Sequence, residues 1–341
     1  MNFKSFFTTT SIVICAILLT GCSGEDQLNI YSARHYDTDL ELYNQFTEQT
    51  GIEIQLIEGG SDELIERINS EGVNSPADIV VTVDAGRLWR AQEAGVLQPV
   101  ESDILHEAIP AELREPEGHW FGLTQRVRGI IYHTDRVDPS ELQGYWELGE
   151  EQWSGRICIR SSSNIYNQSL VASMIETYGI QETEEWANRI VSNFARDPQG
   201  GDTDQIKAVA AGQCDIAVAN HYYLARLALS ENSEDREVAD QVGIWFPPEE
   251  NGGTHVNISG AGVAVNAPNR ENAIRFLEYL TQERAQQLFA GGNYEYPIHE
   301  GTELPEILQQ FGSFESDAVN VAAYGRNNPD AIRLMDRAGW R

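Results

Sequence analysis

Between Leu28 and Gly95 the chain alternates short β-branched apolar runs with amphipathic stretches, and this alternation constrains the fold more than any other feature. Leu28–Ala33 reads as a strand. Thr38–Gln49 reads as a helix with Thr38 and Glu41 in capping-box spacing and Gly51 as its stop. A second strand over Ile52–Ile57 leads into a helix capped by Ser61, acidic in its first turn and ended by Gly72. Ala77–Val83 is the third strand, and a helix runs through Trp89 and Ala91 to Gly95. A βαβαβ series of this kind predicts a parallel sheet covered by helices.

The strand at Val127–His133 leaves this first unit, and a second αβ unit follows. It consists of a strand at Arg156–Arg160, helices near Asn164–Tyr178, Thr183–Ala195 and Asp204–Ala211, and a buried strand over Ile216–Ala219. Pro247-Pro248 and Gly252-Gly253 mark a loop, Ser259–Val265 a further strand, and Arg270–Ala290 one long helix.

Three of these strands end alike. The first runs into Arg34-His35-Tyr36, the strand at Arg156–Arg160 into Ser161–Tyr166, and the run at Ile216–Ala219 into Asn220-His221-Tyr222-Tyr223. In open α/β sheets ligands bind at the carboxyl ends of strands. A tyrosine at one such place is ordinarily packing with a satisfied hydroxyl; phenols at three of them form a constellation. Phenols ordinarily titrate near pH 10, at about three units above neutrality, so they stay protonated there and only a strong Lewis acid strips them. Phenols and imidazoles together therefore suit a hard, highly charged cation, and ferric iron fits. Zinc calls for Cys and His, and calcium for clustered carboxylates. Three phenolates neutralise Fe(III), and a fourth leaves the centre at −1, which Arg34, Arg126 or Arg128 would offset.

The first residues carry Lys4, an apolar segment from Ile12 to Leu19, and Leu19-Thr20-Gly21-Cys22. This is a secretory signal, shorter than the roughly 20 apolar residues a spanning helix needs. Its ending resembles a bacterial lipobox, which makes Cys22 the expected lipidation site; the alternative is an ordinary cleaved signal. Of the four cysteines, Cys158 and Cys214 remain for the folded part. Export permits a disulfide between them, with two buried thiols as the alternative. The net charge of −30 argues against nucleic acid and against anionic membrane surfaces as partners. No GxSxG elbow, HExxH helix or Walker loop occurs, so a metal-dependent exported enzyme stands only as the reading from a different class.

The stretches YSARHYDTD (Tyr31 to Asp39), CIRSSSNIYNQSL (Cys158 to Leu170), CDIAVANHYYL (Cys214 to Leu224) and DRAGW (Asp336 to Trp340) resemble the ferric-iron-binding components of bacterial ABC importers, most closely their tyrosine-rich branch. The resemblance spans nearly the whole mature chain. It implies an α/β, two-lobed periplasmic-binding-protein fold of type II, with two parallel or mixed sheets joined by a hinge. Residues 1–21 would be the signal, 22–126 with 259–341 one lobe, and 127–258 the other. His35, Tyr36, Tyr166, Tyr222 and Tyr223 fall at the family's iron-ligand positions, and Arg126 falls in the region that contacts an anion or supports the ligands from behind. His221 reads as structural. The resemblance further implies Fe(III) as the transported ligand, a synergistic anion such as carbonate left open, a permease and its ATPase as partners, and no catalysis. The protein would be a monomer held on the periplasmic face of a bacterial membrane by its lipid anchor alone. The alternative ligand is another small solute, a polyamine or an oxyanion.

Overall fold

The structure is a computed structural model that describes residues 27–299 and 301–341, so the signal and Cys22 lie outside the described residues. The elements follow in the order β1 (Gln27–Ser32), α1 (Asp39–Thr50), β2 (Glu53–Glu58), α2 (Ser61–Glu71), β3 (Ile79–Val83), α3 (Ala85–Glu93), β4 (Leu97–Gln98), α4 (Asp103–Ala108) and β5 (Phe121–His133). The chain continues through β6 (Ile157–Cys158), α5 (Ile165–Tyr178), α6 (Ile180–Ser192), α7 (Asp202–Ala210), β7 (Ile216–Asn220), α8 (His221–Ala228), α9 (Ser233–Asp240), β8 (Val242–Trp245) and β9 (Val256–Ala264). It ends with α10 (Arg270–Leu280), α11 (Glu283–Asn293), β10 (Tyr296–Pro297), α12 (Glu306–Gln310), α13 (Ala322–Arg326) and α14 (Asn328–Arg337).

The strands form a mixed α/β architecture of two sheets that share β5. β1 pairs in parallel with both β2 and β3, as the βαβαβ pattern requires. β9 then enters antiparallel between β3 and β5. It does so through Ser259-Gly260-Ala261-Gly262, where a Cβ on Gly260 would lie 2.5 Å from the Phe121 carbonyl oxygen and one on Gly262 2.4 Å from that of His119. β5 exchanges partners midway along its length. Val127 faces Val256 of β9, whereas Arg128 faces Asn220 of β7, and from Ile130 onward β5 is flanked by β7 and β8. β6 pairs in parallel with β7 at the far edge of the second sheet.

Several local expectations are corrected. Thr38 precedes α1 in helical geometry without capping it, because its hydroxyl donates to Asn293 Oδ1 at 2.9 Å. Ser61 is the first helical residue of α2, not its cap, and its hydroxyl meets that of Thr82 at 2.6 Å. The single helix predicted over Arg270–Ala290 is two, broken where Gln282 turns extended; Gln286 reaches back there to donate to the Leu280 carbonyl. Near its carboxyl end the chain meets both units, with α13 against α3 as well as α5. α13 and α14 pack on α5, and Trp340 lies against Trp186 and Phe194 while its indole donates to the Arg160 carbonyl. Burying that indole outweighs sequence proximity to α10 and α11.

Cys158 and Cys214 form a disulfide with Cα atoms 5.8 Å apart, which ties β6 to the turn that enters β7. Both are buried.

Candidate metal centre

The three strand-to-helix turns singled out in the sequence converge. Tyr166 is the second residue of α5, whose N-terminus Asn164 caps by accepting from the Tyr166 amide at 3.1 Å. Tyr222 and Tyr223 are the second and third residues of α8, with ring centroids 4.6 Å apart. Tyr36 lies beyond β1, where the Ser32 hydroxyl folds the chain by bonding both the amide and the carbonyl of Arg34.

Two arginines join these phenols. Arg126, buried on β5, donates through Nη2 to the Tyr166 hydroxyl at 3.1 Å and, over a shorter distance, to that of Tyr222. Arg226 lies one turn along α8, its guanidinium carbon 4.9 Å from the Tyr36 ring centroid, 5.1 Å from that of Tyr222 and 5.9 Å from that of Tyr223. A cation thus already stands between the phenols. The Tyr222 oxygen takes a further hydrogen bond from Asn220 Nδ2 at 2.9 Å, so two donors face it.

Electrostatics separate the phenols. Burial pushes Tyr166 up, but the Arg126 charge and its hydrogen bond prevail and hold it below its ordinary value. Tyr222 and Tyr223 are raised, chiefly by burial, with the neighbouring phenols adding to the shift. A metal at this point would therefore meet one phenol already biased toward its anion and two that keep their protons until something displaces them.

Behind the phenols lies a buried charge cluster. Glu295 is buried, which favours its neutral form, yet Arg34 and Arg126 bring its carboxyl down to about 2. Arg34 donates to it at 2.7 Å, and Arg126 Nε stands 3.5 Å away. Thr124 and Ser259 donate to it as well. Arg34 also donates to Asp39 at 2.6 Å and lies 4.5 Å from the Tyr36 ring centroid. The guanidiniums of Arg34 and Arg126 thus face the two carboxyl groups of Asp39 and Glu295 beside Tyr36.

Of the residues expected at the site, the structure gathers Tyr36, Tyr166, Tyr222, Tyr223, Arg34 and Arg126. Arg128 stands one step removed. It donates to Asn220 Oδ1 and Asn167 Oδ1 and pairs with Asp202, so it fixes the amide that contacts Tyr222. His35 is turned to the surface with Nδ1 3.2 Å from Glu58, its side chain 54% exposed. His221 is buried, with Nε2 2.6 Å from the Tyr294 carbonyl and Nδ1 facing Val127; burial lowers it to about 4, which keeps it neutral and structural. The sequence reading missed Glu295 and Arg226. Arg226 had a signal, since it follows Tyr222 by four residues on one helix face.

Comparison with known proteins adds the context. Residues 41–310 match the bacterial extracellular solute-binding protein family. Iron uptake protein A1 of Synechocystis sp. is 49% identical over 99% of this chain and 98% of its own length. A solved structure of Trichodesmium IdiA (FutA) in complex with iron and citrate shares 58% identity with a TM-score of 0.91, covering 92% of this chain and all of that one. Apo FutA2 from Synechocystis follows at 50% identity and a TM-score of 0.89, over 93% of this chain and all of its own.

Proposed function

The chain belongs to the bacterial extracellular solute-binding protein family, and we propose that it is the substrate-binding component of an ABC importer of ferric iron. The observation that carries this reading is the meeting of Tyr36, Tyr166, Tyr222 and Tyr223 around the guanidiniums of Arg126 and Arg226. Arg126 biases Tyr166 toward its phenolate, and Fe(III) is the hard cation able to displace the protons that burial keeps on Tyr222 and Tyr223. The four tyrosines are the ligands in this reading, with His35 available from the rim once it leaves Glu58. Four phenolates give the centre a charge of −1, and Arg226, whose guanidinium stands among the rings of Tyr36, Tyr222 and Tyr223, offsets it. An anion such as carbonate or citrate fills any position the tyrosines leave.

The two sheets with their helices form two lobes, and the exchange of partners along β5 at Val127 and Arg128 is the hinge between them. Tyr166, Tyr222 and Tyr223 belong to the second lobe and Tyr36 to the first, so closure assembles the site. The loaded protein hands its cargo to a permease driven by its ATPase. It does so from the periplasmic face, where a lipid on Cys22 tethers the chain.

Protein purified and loaded with Fe(III) is expected to show a visible phenolate-to-iron absorption band that Tyr222→Phe with Tyr223→Phe abolishes. An unchanged band in the double variant overturns the ligand assignment. Equilibrium dialysis against Fe(III), a polyamine and an oxyanion separates this reading from capture of another small solute.

A further inference from the structure

Among the described residues, only Asp84, Tyr294 and Ala318 combine a side chain with a positive φ, and Asp84 stands at 81° where β3 meets α3. Its carboxylate is fully buried and has partners on three elements. It accepts from the Gly86 amide of α3 at 2.8 Å, from Asn257 Nδ2 of β9 at 2.9 Å, and from the Ser169 hydroxyl of α5 at 2.8 Å. Capping α3 asks only for the first of these, and a helix cap ordinarily has extended backbone. The unusual angle instead accompanies a carboxylate shared between the first sheet and a helix of the second. Ser169 lies three residues after Tyr166, on the same face of α5. The two helices meet closely there, since a Cβ on Gly86 would lie 3.4 Å from Ile165 Cδ1 and 3.6 Å from Ser169 Oγ.

We propose that Asp84 and Ser169 form a closure latch, a positioning pair that locks α3 of the first lobe onto the helix that presents Tyr166. The latch rests on the two-lobe reading above and adds a residue pair that never touches the cargo. Strain stored at Asp84 persists because three donors hold the carboxylate in place. Opening the lobes breaks the Ser169 bond and leaves the other two intact. The latch therefore favours closure without altering either half of the site.

Ser169→Ala tests it, with Ser173→Ala as the control, because the Ser173 hydroxyl one turn further along α5 serves Asp317 instead. Release of Fe(III) to a competing chelator is followed by loss of the visible band, and the radius of gyration of the iron-free protein is measured by small-angle scattering. Losing a hydrogen bond to a buried carboxylate is expected to speed release roughly tenfold with the band position unmoved. Iron-free Ser169→Ala should also scatter as a more open molecule, and Ser173→Ala should match the wild type in both respects. Release within twofold of wild type together with identical scattering overturns the latch. If the wild type itself shows no band, the ferric reading fails, and scattering alone decides the latch: equal radii overturn it, a larger radius in Ser169→Ala upholds it. Should Ser169→Ala not fold, Ser169→Cys replaces it, because a thiol is a weak donor to the Asp84 carboxylate, with release a few-fold faster than wild type expected and an unchanged rate overturning the latch.

Discussion

Glu295→Gln is the most informative single change, because it keeps the shape of the buried cluster and removes one charge. In the native protein Arg34 and Arg126 face Asp39 and Glu295, so the cluster is neutral; the variant leaves it at +1, with an amide where the guanidiniums need an acceptor. Removing one partner of a buried pair costs about 3–5 kcal/mol. The titration gives a second route to the size. The carboxyl moves from its ordinary 4.5 to about 2, and at about 1.4 kcal/mol per unit that is worth about 3 kcal/mol. The sign follows from the depressed value. The stabilisation is complete above the unfolded value, near pH 5 and higher, and fades as pH falls through the native value, with roughly half of it left at pH 3. Urea unfolding of wild type and variant at pH 7 and pH 3 is the assay, with midpoints compared at equal slopes. A loss below about 1 kcal/mol at pH 7, or a difference that does not shrink at pH 3, refutes the account of Glu295 as counterion to both arginines. The variant should also disturb the iron band, since Arg126 would no longer be neutralised from behind.

Replacing Cys158 and Cys214 together by Ser opens a loop closed across 56 positions and should cost about 4 kcal/mol in guanidinium unfolding, with reductant producing no further loss in the variant. Gly325→Ala places a Cβ 2.1 Å or less from the Trp89 side chain, so α3 and α13 must separate; a loss of about 1–3 kcal/mol is expected by thermal unfolding, and a neutral result would mean that Trp89 repacks freely. Iron affinity should fall steeply with acidity. Tyr222 and Tyr223, raised by burial, hold protons that the metal must displace, and each further phenol bound as its anion adds its own, so affinity should change by at least about a hundredfold per pH unit between pH 8 and pH 6, measured by chelator competition. A dependence of tenfold per unit or less would remove one of these tyrosines from the ligand set.

What the sequence disclosed, and what it hid, divides along locality. A phenol at the junction of a strand and a helix is set by its neighbours, so Tyr36, Tyr166, Tyr222 and Tyr223 were legible from short windows. The parallel pairing of β1 with β2 and β3 followed from the alternation alone. Glu295 had no such signal. It lies in the turn between α11 and β10, 73 positions after Tyr222, and only the antiparallel pairing of β10 with β5 brings it under Arg126. The missing Thr38 cap has a similar cause. A Cβ on Gly292 would lie 2.7 Å from that of Thr38, so α11 presses on the start of α1 and draws its hydroxyl to Asn293. The docking of Trp340 on the second unit was hidden because it depends on Trp186 and Phe194, distant in sequence.

The shared strand β5 also dictates an order of assembly for a chain that emerges from its amino end. Every strand of the second sheet lies between Arg128 and Trp245, a contiguous stretch able to pair as soon as it is available. The first sheet cannot finish at that stage. β3 waits for β9, whose Val263 pairs with Ile79 across 184 positions of chain, and until then one edge of β3 and the leading half of β5 stay unpaired. Contacts between such distant residues form slowly, and open edges invite pairing with other chains. The half that emerges first is therefore the half completed last. Protection from aggregation during folding matters most for Leu28–Val83, until β9 is inserted beside it.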